Sequence, residues 1–283
     1  MIVVNQESLP TENKAKYRTT LKFFVLSIIL VVFSANSIII FSDSHIQHYL
    51  SLLTLNITAA IASILGIIAF CRYGFHGHHG KSYLFLTLGI IFWFGADFIL
   101  FYNYSVGIEE QRLVTITDFL WFTGYGFLVL HLFITLRYLT IKIKSKVVIL
   151  VSISTTLFVS YNIVNLLSFD YNIEDNYFSI IVTLLYPVLD FLLIIPSSLI
   201  LIALRKDFEH NIPWFLSSLS LLINSIADDG YVNDFVTGSP ENIWFWELFY
   251  VTDFILISGA LIWYNIFHIS NTQKNIKISK NHE

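Results

Sequence analysis

Acidic side chains lie in or at the ends of the long apolar stretches of this chain. They are Asp97, Asp118, Asp190, Asp228, Asp229 and Asp253. A charged group in hydrocarbon is expensive, and it is kept mainly where it pairs with another group or serves a function. Tryptophan and tyrosine accompany these acids, and their ring faces attract cations. The combination predicts a pocket for a small cation or a polar, amine-bearing ligand.

Polar residues within these stretches recur every three or four positions, as they do on one face of a helix. Asn224 and Asp228 share such a face, and so do Glu247 and Asp253. Polar faces in a membrane should point inward, where they meet water or each other. The candidate ligand-binding residues are Asp97, Asp118, Trp121, Tyr125, Tyr186, Asp190, Asn224, Asp228, Glu247 and Asp253.

A structural interpretation competes with the pocket. Asparagine, tyrosine and protonated aspartate also hold membrane helices together by hydrogen bonds between them. Asp190 and Asp253 are the deepest acids in their stretches and are hardest to explain as residues of the membrane–water interface. We therefore expect the side chains of Asp97, Asp118, Asp190, Asp228 and Asp253 to converge on one outward-facing cavity between the third, fourth, sixth, seventh and eighth helices.

Other site chemistry has little support in the sequence. The run His76-Gly77-His78-His79-Gly80 has neither strong zinc spacing nor a nearby acid, and we expect a flexible inner loop there. His131 is expected to be a hydrogen-bonded core residue. No phosphate loop, nucleophile elbow or zincin histidine pair occurs. We expect no catalytic residue, metal or cofactor, no nucleic-acid partner, and a protein that is more plausibly a binding protein than an enzyme.

The elements that must position the acids are membrane helices. Only 13% of residues are charged, against about 25% in a soluble domain. A helix crosses a bilayer with about 20 mostly apolar residues. The predicted fold is an all-α polytopic membrane helix bundle in the cell membrane, with eight transmembrane helices over 21–41, 49–71, 83–102, 117–137, 146–167, 178–204, 213–233 and 244–267.

The basic residues predict the orientation of the bundle. Lysine and arginine favour the cytoplasmic side of a membrane. With eight spans and both termini inside, 15 of the 16 basic residues are cytoplasmic, and Arg112 alone is outside. The predicted organisation is a cytoplasmic tail over 1–20, a membrane domain over 21–267 and a cytoplasmic tail over 268–283. The composition also favours an AT-rich, prokaryotic source.

Two helix pairs resemble each other in sequence. The third and fourth helices contain Ala96-Asp97 and Asp118-Phe119, while the seventh and eighth contain Ala227-Asp228 and Asp253-Phe254. Each pair therefore places an acid at the end of one helix and an Asp-Phe step in the next.

These motifs, with Tyr186-Pro187 and Asp190 of the sixth helix, resemble the multi-helix membrane input regions of prokaryotic histidine kinases and diguanylate cyclases. The resemblance covers residues 83–267. It implies signal perception coupled to a cytoplasmic output. No kinase or cyclase sequence follows the last helix here, so a separate cytoplasmic or membrane signalling partner is expected.

The leading hypothesis is a stand-alone membrane sensing or binding module. A transporter is an alternative, but its polar residues should continue through the inner half of the membrane. A membrane-embedded lipid hydrolase is supported by the number of buried acids. A structural subunit of a larger membrane complex is compatible with the missing output domain.

Overall fold

The computed structural model describes residues 11–75, 77–108, 115–139, 143–168, 177–236 and 243–269. Eight long helices account for most of these residues, and no strand occurs among them. The helices are α1 (Thr11–Ile40), α2 (Ser44–Tyr73), α3 (Gly77–Ser105), α4 (Ile116–Tyr138), α5 (Ser145–Leu167), α6 (Tyr177–Leu204), α7 (Ile212–Val236) and α8 (Ile243–Trp263). A 3₁₀ turn (Phe208–His210) precedes α7, and a π-helical turn (Tyr264–Ile269) follows α8.

Seven helices in the described part of the chain are long and apolar enough to cross a membrane. Large apolar side chains cover the outer faces of α1 and α5; Phe33 is 69% exposed and Leu157 is 67% exposed. Water does not accommodate such continuous apolar surfaces in a monomeric protein, whereas lipid does. The chain is therefore a multi-pass membrane protein.

The helix that does not meet the apolar criterion is α7, which carries Asp228, Asp229 and Asp234. It packs along α6 on one side and α8 on the other. Its polar residues therefore face protein, and a helix shielded in this way needs less hydrophobicity than one exposed to lipid.

The bundle is built around α8, whose apolar stretch is the most thoroughly buried of the seven. α8 packs against α1, α2 and α7, while α3 packs between α2 and α4. α5 lies at the periphery against α6 and α7. The two helix pairs that resemble each other in sequence, α3 with α4 and α7 with α8, are each in extensive contact.

The two ends of the bundle differ in charge. The acidic end holds the last turns of α3 and α7 and the first turns of α4 and α8, with Asp97, Asp118 and Glu247. The opposite, basic end is held together by polar contacts. There Arg72 Nη1 donates to the Asn265 carbonyl oxygen (3.0 Å). The cavity acids and most of the described basic residues thus lie at opposite ends of the bundle, whereas Asp207 and Glu209 lie at the basic end.

Several predicted details need correction. Gly77, His78 and His79 form the first turn of α3 instead of a flexible loop, and His76 lies outside the described residues. The His78 ring stacks on Tyr138 with centroids 3.4 Å apart, because α3 and α4 lie side by side at this end. The prediction for His131 is confirmed, since this buried side chain contacts Ser82 Oγ through Nδ1 (2.8 Å).

Glycines allow α3 and α4 to approach closely. A Cβ placed on Gly124 would lie 2.3 Å from the Trp93 ring and 3.0 Å from the Gly89 carbonyl oxygen. Small residues permit this kind of backbone approach between membrane helices. The position two residues further, Gly126, has nothing within 4 Å.

We predict that Gly124→Ala destabilises the protein while Gly126→Ala does not. The added methyl must displace Trp93, whose Nε1 donates to the Trp121 carbonyl oxygen (3.1 Å). Overpacking of this kind costs about 1–3 kcal/mol. Thermal unfolding in a mild detergent measures the difference. Equal melting temperatures for the two variants would contradict the close packing of α3 on α4.

Candidate functional site

A cavity with acidic and aromatic side chains in its wall opens among six helices at the acidic end. Its volume is about 160 Å³, and α2, α3, α4, α6, α7 and α8 all contribute to its wall. Four acids line it, namely Asp97, Asp118, Asp228 and Glu247, and so do seven aromatic residues. No lysine, arginine or histidine of the described residues lines the cavity. The wall therefore offers carboxyl oxygens and ring faces, and none of its described lining residues is basic.

Asp228 accepts hydrogen bonds from three side chains. Its Oδ1 accepts from the Tyr250 hydroxyl (2.5 Å), and its Oδ2 accepts from Asn224 Nδ2 (2.8 Å) and from the Tyr125 hydroxyl. The donors come from α4, α7 and α8, so the carboxyl group ties three helices together. Asp228 is only partly buried, whereas the other three acids of the wall are buried. Asp228 is therefore the least buried of the four acids of the wall.

Asp118 has a structural task in addition to its place on the wall. Its Oδ2 accepts the Thr115 backbone N–H (2.7 Å), which satisfies a free amide at the start of α4. Its Oδ1 accepts the Tyr186 hydroxyl from α6 (2.6 Å). On the opposite side, Asp97 Oδ1 accepts Trp121 Nε1 (3.0 Å). Both acids are thus held in fixed positions by neighbouring helices.

Glu247 joins α8 to α2. Its carboxyl group accepts from the Ser51 hydroxyl and lies 3.2 Å from His48 Nδ1. His48 itself packs edge-on against Tyr104 of α3, with ring centroids 4.8 Å apart. These contacts close the cavity on the side of α2.

Of the five aspartates predicted to converge on one cavity, three line this cavity and two do not. Asp190 and Asp253 are fully buried and do not belong to the wall. Asp190 Oδ1 contacts the Tyr125 hydroxyl (2.8 Å), and Asp253 Oδ1 accepts from the Ser220 hydroxyl. Both acids sit one layer behind the wall because their helices turn these positions toward neighbouring helices and not toward the opening.

The other eight candidate residues all line the cavity. They are Asp97, Asp118, Trp121, Tyr125, Tyr186, Asn224, Asp228 and Glu247. Sequence reasoning missed the contribution of α2 and the role of Tyr250. A signal for both existed, because Tyr250 follows Glu247 by three residues and Ser51 follows His48 by three, which places each pair on one helix face.

The chemistry open to this wall is the binding of a positively charged group. Carboxylates supply charge and hydrogen-bond acceptors, and aromatic faces add cation–π attraction of about 0.5–2 kcal/mol. No group of three or more histidine, cysteine, aspartate or glutamate side chains suited to a metal ion occurs among the described residues. No family model matches the chain, and no curated protein or solved structure is significantly similar to it.

Proposed function

We propose that this chain is an eight-span membrane protein with both termini in the cytoplasm, and that its cavity binds a small organic cation as the input to a signal. The observation that carries the proposal is the composition of the cavity wall. Four acids and seven aromatic residues surround about 160 Å³ of space, with no basic side chain among the described lining residues.

The charge asymmetry of the bundle supports the orientation. The described basic residues at the helix ends, including Arg72, Arg137 and Arg205, lie at the end opposite the acids. The positive-inside rule places that end in the cytoplasm and the cavity on the outer side. The polar face of α7 is covered by α6 and α8. This packing is compatible with α7 crossing the membrane in addition to the seven apolar helices, which gives eight spans.

The topology makes a direct prediction. A reporter that is active only in the cytoplasm, fused after Glu283, should be active, and the same reporter inserted between α3 and α4 should be silent. Both fusions should be present in the membrane at similar levels. The opposite pattern would show that the orientation is reversed. Activity at both sites would show that one of the helices between them does not cross the membrane.

Size and donor chemistry favour an organic ammonium ion. A cavity of about 150 Å³ accommodates one benzene ring, and this cavity has a similar volume of about 160 Å³. The carboxyl group of Asp228, the least buried acid of the wall, offers an acceptor for an N–H donor. Tyr250, whose hydroxyl donates to Asp228, and Tyr186 also line the cavity. A ligand with a ring-sized body and one ammonium group satisfies all three features.

α8 supports a role in signalling. It carries Glu247 and Tyr250 in the cavity wall and continues to the π-helical turn Tyr264–Ile269 at the basic end. That turn is bound by Arg72 of α2. A ligand that favours one position of α8 therefore changes the packing of the basic end, where a cytoplasmic or membrane partner responds. The size of this change is set by the difference between the ligand's affinities for the two arrangements of α8.

Binding is tested with matched probes on the protein in lipid nanodiscs. Benzylammonium carries the ring and the charge, benzyltrimethylammonium carries the charge without an N–H donor, and benzyl alcohol is neutral. We expect isothermal titration to give affinities that fall in that order, with at least tenfold between the first and the last. Equal affinities for benzylammonium and benzyl alcohol, or no binding of any probe, would contradict the proposal.

A further inference from the structure

One hydroxyl group joins two acids of different exposure. The Tyr125 hydroxyl contacts Asp228 Oδ2 in the cavity wall and Asp190 Oδ1 behind it (2.8 Å). A tyrosine hydroxyl has one hydrogen to donate and can also accept. The Tyr125 hydroxyl cannot donate to two carboxylates at once. In one of the two contacts it must therefore accept a hydrogen bond from a protonated carboxyl group.

Asp190 is the acid in a position to carry that hydrogen. Asp228 already accepts from Tyr250 and Asn224, which suits a carboxylate. Asp190 is fully buried, and its Oδ2 has no hydrogen-bond partner. A buried unpaired charge is far more costly than a neutral acid that donates one hydrogen bond.

We propose that Asp190 and Asp228 hold one proton between them through Tyr125, and that a cation bound at Asp228 expels it. The inference rests on the proposed function. In the free state Asp190 donates to Tyr125, and Tyr125 donates to Asp228. An ammonium N–H then takes the place of Tyr125 on Asp228, the Tyr125 hydroxyl turns to Asp190, and the Asp190 proton leaves. One positive charge enters and one leaves, so the net charge of the site is unchanged.

The surroundings of the pair contain acids and hydroxyls from five helices. The charged and titratable groups that face it are Asp97 of α3, Tyr125 of α4, Tyr186 of α6, Asp229 and Tyr231 of α7, and Glu247, Tyr250 and Asp253 of α8. Each acid in this set adds to the negative charge that a bound cation offsets. The exchange of a proton for a cation therefore depends on all the acids around the cavity. Tyr125 is the residue that links Asp190 to Asp228.

The test counts protons during binding of benzylammonium to the nanodisc-embedded protein in weakly buffered solution, with a pH-indicator dye. Alkylammonium groups such as lysine titrate near pH 10.4, so the probe keeps its charge between pH 6 and 8. We expect about one proton released per bound cation. We also expect an association constant that rises about tenfold per pH unit across the range in which the free pair is protonated, since binding and deprotonation are then linked one to one.

Two variants break the link in different ways. Asp190→Asn keeps a donor toward Tyr125 but carries no dissociable proton, and Tyr125→Phe removes the hydroxyl. Each variant that folds should release less than about a fifth of a proton per bound cation and lose the pH dependence of its binding. Asp207→Asn, in the exposed turn after α6 at the basic end, should release one proton like the wild type.

The outcomes separate this inference from the proposed function. Binding without proton release in the wild type overturns the inference and leaves the cation site intact. Release that persists in Asp190→Asn and Tyr125→Phe also overturns it, and assigns the proton to another acid such as Asp253. The absence of benzylammonium binding in the wild type contradicts the proposed function itself, and the inference falls with it.

Discussion

Asp228→Asn should weaken benzylammonium binding about 100-fold. The substitution keeps the shape of the side chain and removes the one cavity-wall carboxylate that is only partly buried. Removing one partner of a hydrogen-bonded charge pair in a desolvated site costs about 2–5 kcal/mol. A loss of about 2.7 kcal/mol corresponds to a factor of 100 in affinity. Isothermal titration in nanodiscs measures the change directly.

The matched control is Asp207→Asn, which removes the same charge from an exposed turn at the basic end. It should leave the affinity within about twofold of the wild type, because screening by salt and water makes distant surface charges weak. Melting temperatures of both variants show whether the bundle is intact. A folded Asp228→Asn protein with wild-type affinity would place the cation elsewhere in the membrane domain and end the proposal for this cavity.

The helical architecture was predictable because bilayer hydrocarbon imposes it. Unpaired backbone groups are forbidden in lipid, so long apolar stretches must become helices. The predicted spans each fall on a helix, although α1 begins at Thr11 rather than Leu21 and α3 begins at Gly77 rather than Tyr83. Helix ends outside the hydrocarbon are less constrained, since water satisfies their backbone, and hydropathy therefore says little about where they stop.

Which residues line the cavity was predictable only where it depends on two quantities. These are the depth of a residue in the membrane and the face of the helix on which it lies. Both quantities can be read from spacing, and they correctly placed Asp97, Asp118 and Asp228 on one wall. Whether a side chain reaches the opening or stops one layer behind it depends on which helix packs next to it. Asp190 has the depth of a cavity residue, yet α4 covers it with Tyr125. That packing is a long-range property that one helix's spacing does not contain.

The contribution of α2 is a second case in which helix packing, and not sequence spacing, determines which residues belong to the site. His48 and Ser51 precede the most apolar part of α2, and without a partner they are typical of an ordinary helix end. Their role follows from α2 packing against α8, which brings Ser51 to Glu247. Sequence spacing identifies faces of single helices, and only their packing identifies which faces meet.

Asp118→Ala should destabilise the folded protein by about 3 kcal/mol. The alanine no longer accepts the Thr115 backbone N–H at the start of α4, and loss of such a cap costs about 1 kcal/mol. It also leaves the mostly buried Tyr186 hydroxyl without its acceptor, which adds about 1–3 kcal/mol. Unfolding by sodium dodecyl sulfate in mixed micelles measures the free energy for each variant.

A double-mutant cycle isolates the second contribution. Tyr186→Phe removes the hydroxyl that Asp118→Ala strands, so the double variant should be more stable than Asp118→Ala alone, and the two single effects should fail to add by at least about 1 kcal/mol. Tyr161→Phe, at a position 66% exposed on α5, is the control and should couple to Asp118→Ala by less than about 0.3 kcal/mol. Additive effects of Asp118→Ala and Tyr186→Phe would mean that α4 and α6 are not joined by this bond. The cavity would then lack the fixed wall that separates a preformed cation site from a loose gap between helices.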